Sequence, residues 1–152
     1  MTIKYETALQ MAEELGSKAY AREFEGEKGE ALRRAGMTPL TAGLTKMAVS
    51  YGLKKDPGVP VTFSHWVNTI LEIRNDEDDC IQVWVNKDGA TAELNPKTDP
   101  NGAPDGAEIE ESGQTELEAI AKLGLRVLLK KAERDEQNKL VIAQTIPEGG
   151  KA

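Results

Sequence analysis

Cysteine and histidine are nearly missing from this chain. Its 152 residues hold one of each, Cys80 and His65. A single cysteine excludes an intrachain disulfide, and a single histidine excludes the common poly-histidine metal sites. Aromatic residues are scarce as well, at 5%. No run approaches 18 apolar residues, so no membrane-spanning helix is predicted. Met1–Leu15 carries Glu6, Glu13 and Glu14 without a continuous apolar stretch, so no secretory leader is predicted and a cytoplasmic protein is expected. What is present is a balance of 39% hydrophobic and 30% charged residues, enough apolar content to build a core.

The net charge of −7 is unevenly placed. Residues 1–56 hold nine basic and eight acidic groups, and residues 115–152 hold seven and six. Residues 57–114 hold three basic groups (Arg74, Lys87, Lys97) against twelve acidic ones. All excess acidity therefore lies in the middle third. A field of one sign attracts basic surfaces and repels phosphate backbones.

Hydrophobic spacing predicts the elements. Tyr5–Phe24 reads as a helix with Ala8, Met11, Ala12, Leu15 and Ala19 on one face. Gly16 interrupts it and can split it, with Ser17 capping a second piece. Lys28–Ala35 is a short helix ended by Gly36. Thr38-Pro39 is a strong helix start, running to Gly52, and Ala42 and Gly43 leave room for a close neighbour. Lys54–Pro60 reads as a linker. Ser64 can cap a helix to Arg74, with a strand from Thr69 to Arg74 as the competing reading. Asn75–Asp79 is an acidic turn. Cys80–Asn86 and Ala90–Leu94 form a hairpin around Asn86-Lys87-Asp88-Gly89. Asn95–Gln114 reads as a long acidic loop. Thr115 and Glu118 match a capping box that opens a helix to Gln137. Lys139–Ile146, rich in β-branched residues, is expected as a final strand, ended by Pro147-Glu148-Gly149-Gly150.

These elements predict an α+β fold in one domain, residues 1–152. N-terminal helices (1–56) pack beside a small antiparallel sheet, made of the hairpin plus the C-terminal strand. The acidic hairpin and loop region spans 57–114, and the long C-terminal helix (115–152, with the final strand) covers the sheet.

Familiar catalytic and ligand motifs fail on inspection. Gly26-Glu27-Lys28-Gly29 lacks the Gly-Lys-Ser/Thr ending of a phosphate loop and is followed by Glu30. An EF-hand starting at Asp76 would need Gly at Ile81 and Glu at Lys87; one starting at Asp99 meets Ala103 and Pro104 where the turn is needed. His65 follows Ser64, but neighbours on a helix do not face each other. Cys80 is expected as a core thiol beside Ile81. No metal, cofactor or catalytic residue is assigned.

Two features remain. Lys122, Arg126, Lys130 and Arg134 recur every fourth residue on the last helix. They read as an exposed face forming ion pairs with Glu118 and Glu133, and no direct nucleic-acid or membrane contact is expected. Trp66 sits among Val67, Ile70 and Leu71 and reads as core, whereas Trp84 falls on the polar parity of its strand. The partner-binding residues expected are Asp76, Glu77, Asp78, Asp79, Trp84, Glu110 and Glu111. The function expected is that of a small acidic, non-enzymatic binding protein. It would be a regulator or inhibitor of the kind phages and mobile elements encode, presenting this surface to a basic protein such as one that handles nucleic acid. The alternative is a subunit of a homo-oligomeric or structural assembly. The third, an enzyme using acidic residues, has no arrangement of side chains to support it.

Overall fold

The computed structural model describes residues 3–23, 26–56 and 60–145, with the side chains of 19–23, 28 and 138–145 left undescribed. Four helices come first: α1 (Tyr5–Glu23), α2 (Gly26–Arg34), α3 (Pro39–Ser50) and α4 (Phe63–Arg74). Strands β1 (Ile81–Asn86), β2 (Gly89–Thr98) and β3 (Pro104–Gly113) follow, and α5 (Glu116–Thr145) closes the fold. The sheet is antiparallel, in the order β1-β2-β3. One face of it packs on α5, and α5 in turn packs on α3 and α4. The architecture is α+β, as the spacing of apolar residues predicts.

α1 meets α3 through small residues. Ala8 and Ala12 are fully buried, and Gly16 lies one turn further along the same seam. A Cβ on Gly16 would sit 1.8 Å from the Pro39 carbonyl oxygen, and one on Gly43 would sit 1.6 Å from the Ala12 oxygen. Gly16 is therefore the point of closest approach within a continuous helix rather than a break. The expected stripe is corrected accordingly: Met11 and Leu15 are exposed, because the α3 backbone comes too near for larger side chains to lie between. The room expected at Ala42 and Gly43 is occupied by α1. Phe24 and the Ala19 side chain lie outside the described residues.

Helix ends follow local chemistry. Thr38 accepts a bond from the Thr41 N–H at 3.2 Å, and Pro39 holds the first helical position. α4 starts one residue before Ser64, because Thr62 is its cap, accepting from the His65 N–H at 3.2 Å. The competing strand at Thr69–Arg74 is overturned: the helix runs to Arg74 and closes at Asn75 in the left-handed conformation, φ 50°. α2 spans Gly26–Arg34, two residues ahead of the expected start.

Two expectations about the chain's second half are corrected. Asn95–Gln114 is not a loop. β2 continues to Thr98, and β3 returns from Pro104. The turn between them is organised by Asp99, whose carboxylate accepts the N–H groups of Asn101 and Ala103, with Gly102 at φ 84°. Of the Pro and Gly residues that suggest a loop, Pro100 and Gly102 make the turn of a second hairpin, while Pro96, Pro104 and Gly106 lie within its strands. Lys139–Thr145 is helix, not strand, because α5 runs unbroken to Thr145. No Gly or Pro intervenes before Pro147, an established helix extends at little cost per residue, and the sheet's third place is already filled by β3. Ile146 and Pro147–Gly150 lie outside the described residues.

The starts of α3 and α5 are tied together. Thr115 caps α5 by accepting the Glu118 N–H at 3.1 Å, and its hydroxyl donates to the Gly36 carbonyl at 2.7 Å. Glu118, 4% exposed, reaches back to the Gln114 N–H at 3.1 Å with one oxygen. Its other oxygen accepts the hydroxyl of Thr38, the cap of α3. Half of the capping box expected at Thr115 and Glu118 is formed: Thr115 takes the Glu118 N–H, but Glu118 accepts from Gln114 in place of Thr115 and adds a bond across the fold. One carboxylate thus sits between two helix N-termini, where the macrodipoles favour negative charge.

Candidate functional site

The sheet has two unlike faces. Ladder partners Val83, Ala92 and Glu111 share the face toward α5, as do Ile81, Leu94 and Ile109. The opposite parity places Gln82, Glu93 and Glu110 in one row across the sheet and Trp84, Thr91 and Ser112 in the next. No helix among the described residues covers this second face. Trp84 is 43% exposed there. The Thr91 and Ser112 hydroxyls bond each other at 3.0 Å beside it. Glu93 stands directly opposite Glu110, and like charges in that position oppose sheet stability.

The expected site residues divide between surface and interior. Asp76, Glu77 and Asp78 are exposed in the turn between α4 and β1, with Asp76 accepting the Asp78 N–H at 3.0 Å. Trp84 and Glu110 lie on the open face. Asp79 does not join them. Its side chain is 1% exposed and grips Arg74 through bonds of 3.0 and 3.1 Å. Asn95, at φ 54°, donates to both Asp79 and Glu108 at 2.8 Å, and Arg74 also reaches Glu108 at 2.7 Å. This four-residue cluster fastens the end of α4 to the sheet. The Arg74 hydrogen bonds hold the Asp79 carboxyl below the usual carboxylate range, against the opposing effect of burial. Asn95 first, and Arg74 after it, do the same for Glu108.

Glu111 also faces inward. It pairs with Arg126 of α5 at 2.8 Å, and the Arg126 guanidinium stacks on the Tyr5 ring at 4.3 Å. Burial, with Glu111 beside it, pushes the Tyr5 hydroxyl well above its ordinary pKa. The basic stripe on α5 is consequently not an exposed face throughout, which corrects that expectation. Lys122 donates to the Ser112 carbonyl at 2.7 Å and Arg126 is consumed by Glu111, while Lys130 and Arg134 remain exposed. Glu118 serves the helix starts instead of this stripe.

Cys80 is exposed, which overturns the expected core thiol. It has the outer-face parity, one residue before the inward Ile81; its N–H donates to the Asn95 side-chain oxygen and its carbonyl accepts the Asn95 N–H, both at 2.8 Å. Trp66 is fully buried, as expected. Sequence reasoning missed Glu93, which joins the face only through the register of the first hairpin. It also missed Glu108, whose strand reads as a loop in sequence. Among the described residues, no three His, Cys, Asp or Glu side chains converge to hold a metal ion, and no helix is long and apolar enough to cross a membrane.

No protein-family model, curated protein or solved structure matches this chain.

Proposed function

We propose that the chain is a small acidic binding protein that acts without catalysis, docking a basic protein surface on the open face of its sheet. The observation that carries this reading is Trp84, 43% exposed on a face whose next row pairs Glu93 with Glu110. A single exposed tryptophan is a common energetic anchor of interfaces. The Glu93–Glu110 repulsion is relieved when a cation arrives, so free energy lost in the isolated sheet is recovered on binding. Asp76, Glu77 and Asp78 add rim charge that speeds encounter. Asp79 and Glu111, satisfied internally, act by shaping the sheet instead of touching the partner. A partner of this chemistry is a protein with a basic groove, such as one that handles nucleic acid, and occupying that groove makes this chain a regulator or inhibitor.

The test uses Trp84 as its own reporter. In a Trp66→Phe background Trp84 is the chain's sole tryptophan, so tryptophan-selective excitation of the chain reports on it alone. Titration with a basic partner captured at low salt should shift its emission to the blue, and Glu93→Gln with Glu110→Gln should slow association in a salt-dependent way. Trp84→Ala should speed dissociation and cost at least ~2 kcal/mol of binding. Unchanged Trp84 emission on binding, with full affinity in Trp84→Ala, removes this face as the site.

A further inference from the structure

The two edges of the sheet differ in a way the open face does not explain. β3 begins at Pro104 and carries Asp105, Glu108, Glu110 and Glu111, devices that keep an edge from pairing with another strand. β1, Ile-Gln-Val-Trp-Val-Asn, has no charge, proline or glycine, and Ile81, Val83, Trp84 and Val85 are strong strand formers. It lies at the other edge. Val85 is 65% exposed there, although its parity is that of the helix-covered face.

The ladder shows which main-chain groups are free. Asn86 and Gly89 close the two-residue turn, and the Asn95 N–H bonds the Cys80 carbonyl at 2.8 Å. The pairs whose main chains face each other within the hairpin are therefore Gln82–Glu93, Trp84–Thr91 and Asn86–Gly89, and beyond them the Cys80 carbonyl takes the Asn95 N–H while the Cys80 N–H goes to the Asn95 side-chain oxygen. Ile81, Val83 and Val85 aim their N–H and C=O groups outward, at the free edge.

We propose that β1 pairs with β1 of a second copy, antiparallel, about a two-fold axis through Val83. Ile81 then faces Val85 of the second copy, Val83 faces Val83, and Val85 faces Ile81. Each of these pairs exchanges two main-chain bonds, so every outward group of β1 is satisfied. The register also matches side chains. Three valine and isoleucine positions of each copy meet on the helix-covered face, which covers Val85. Gln82 meets Trp84 on the open face. Moving the axis to Trp84 sets Ile81 against Lys87 and leaves an outward strand group facing a turn. Charge favours a second copy as well. The proposed register carries Lys87 of each hairpin to the acidic turn of the other copy, where Asp76, Glu77 and Asp78 are exposed, and Asp88 offsets part of that attraction. The resulting interface doubles the three-stranded sheet and leaves both Trp84 faces on one side, so the docking face becomes bivalent.

Three measurements on the full chain test this. Light scattering should give twice the chain mass at tens of micromolar. Val85→Lys, which charges the edge, should give a monomer that keeps the far-ultraviolet circular dichroism of the unaltered chain and a melting temperature that no longer depends on concentration. Val83→Pro should also give a monomer, because the N–H it removes points away from β2, with some loss of stability from the valine packing against the core. Register is tested by Asn86→Cys. Position 86 faces Cys80 of the second copy, and diamide, which takes up the two thiol hydrogens, should link the copies through disulfides. Within one strand those positions are roughly 20 Å apart and cannot join. The unaltered chain, whose Cys80 faces Asn86, should not cross-link. A monomer at 100 µM overturns the proposal, as does a dimer in which Asn86→Cys fails to cross-link or Val85→Lys still dimerises. Val85 points away from the open face, so these outcomes leave the Trp84 docking test unaffected.

Discussion

Gly16 and Gly43 meet where α1 crosses α3. A Cβ on Gly43 would lie 2.9 Å from the Gly16 nitrogen and 1.6 Å from the Ala12 oxygen. Helix backbones this close tolerate no side chain at the crossing, and overpacking of a rigid contact costs roughly 1–3 kcal/mol or more. Gly43→Ala and Gly16→Ala should each lower stability by at least ~2 kcal/mol, although alanine is the better helix former. Urea unfolding of the two variants checks this. A gain in stability from either would mean that the helices do not touch here.

A second close contact is expected to show coupling. A methyl group on Gly124 would sit 2.3 Å from Cε3 of Trp66, whose Nε1 is buried without a hydrogen-bond partner. Gly124→Ala should destabilise by about 2 kcal/mol. In a Trp66→Leu background the same change should cost less than half as much, because the ring it strikes is gone. A double-mutant cycle with no interaction energy would contradict this packing.

The first hairpin turn depends on Gly89. Its φ is 143°, and a Cβ there would meet the Gly113 oxygen at 2.3 Å. Gly89→Val should destabilise by roughly 1–3 kcal/mol through backbone strain alone, with the clash adding to it. An unchanged thermal melt would remove this assignment.

Acid should loosen the junction of α4 with the sheet. Asp79 and Glu108 both titrate below their ordinary range in the folded chain, chiefly through hydrogen bonds from Arg74 and Asn95. A carboxyl lowered by folding contributes stability that is full above the unfolded value, about 4, and lost as pH falls through the folded value. Stability should therefore hold from neutral pH to about pH 5 and decline below it. Arg74→Met should cost about 2 kcal/mol at pH 7 by leaving the 1%-exposed Asp79 side chain without its cation, and should flatten the decline in acid. Denaturation at a series of pH values separates the two curves. An acid limb of equal slope in Arg74→Met would show that this cluster does not govern it.

Much of the fold was legible because local signals and tertiary packing agree. Thr38 and Pro39 start α3 through bonds and backbone angles set within its first turn, and Asp88-Gly89 favours the hairpin turn by its local conformation. The errors arose where one residue type answers to two causes. Gly16 and Gly43 carry the same absent side chain, which can weaken a helix or admit a neighbour, and only the crossing of α1 with α3 decides which. β3 does not read as a strand in sequence because its inward parity holds Glu111, a charge that breaks the apolar alternation until Arg126 arrives from another element. The same partnership, and that of Asp79 with Arg74, removed two acidic residues from the surface. An acidic run read from sequence has no means of showing which members are already neutralised. Trp84 was legible because strand parity needs no knowledge of distant residues.

The Glu118 carboxylate has a consequence for how the chain opens. It joins the N–H of Gln114 to the hydroxyl of Thr38, residues brought together from distant parts of the sequence. Neither helix start can fray without stranding a buried charge, so the first turns of α3 and α5 open as one event. Amide protons there should exchange at a common rate set by that joint opening, and a local fluctuation in the first half of the chain is felt at once in the second.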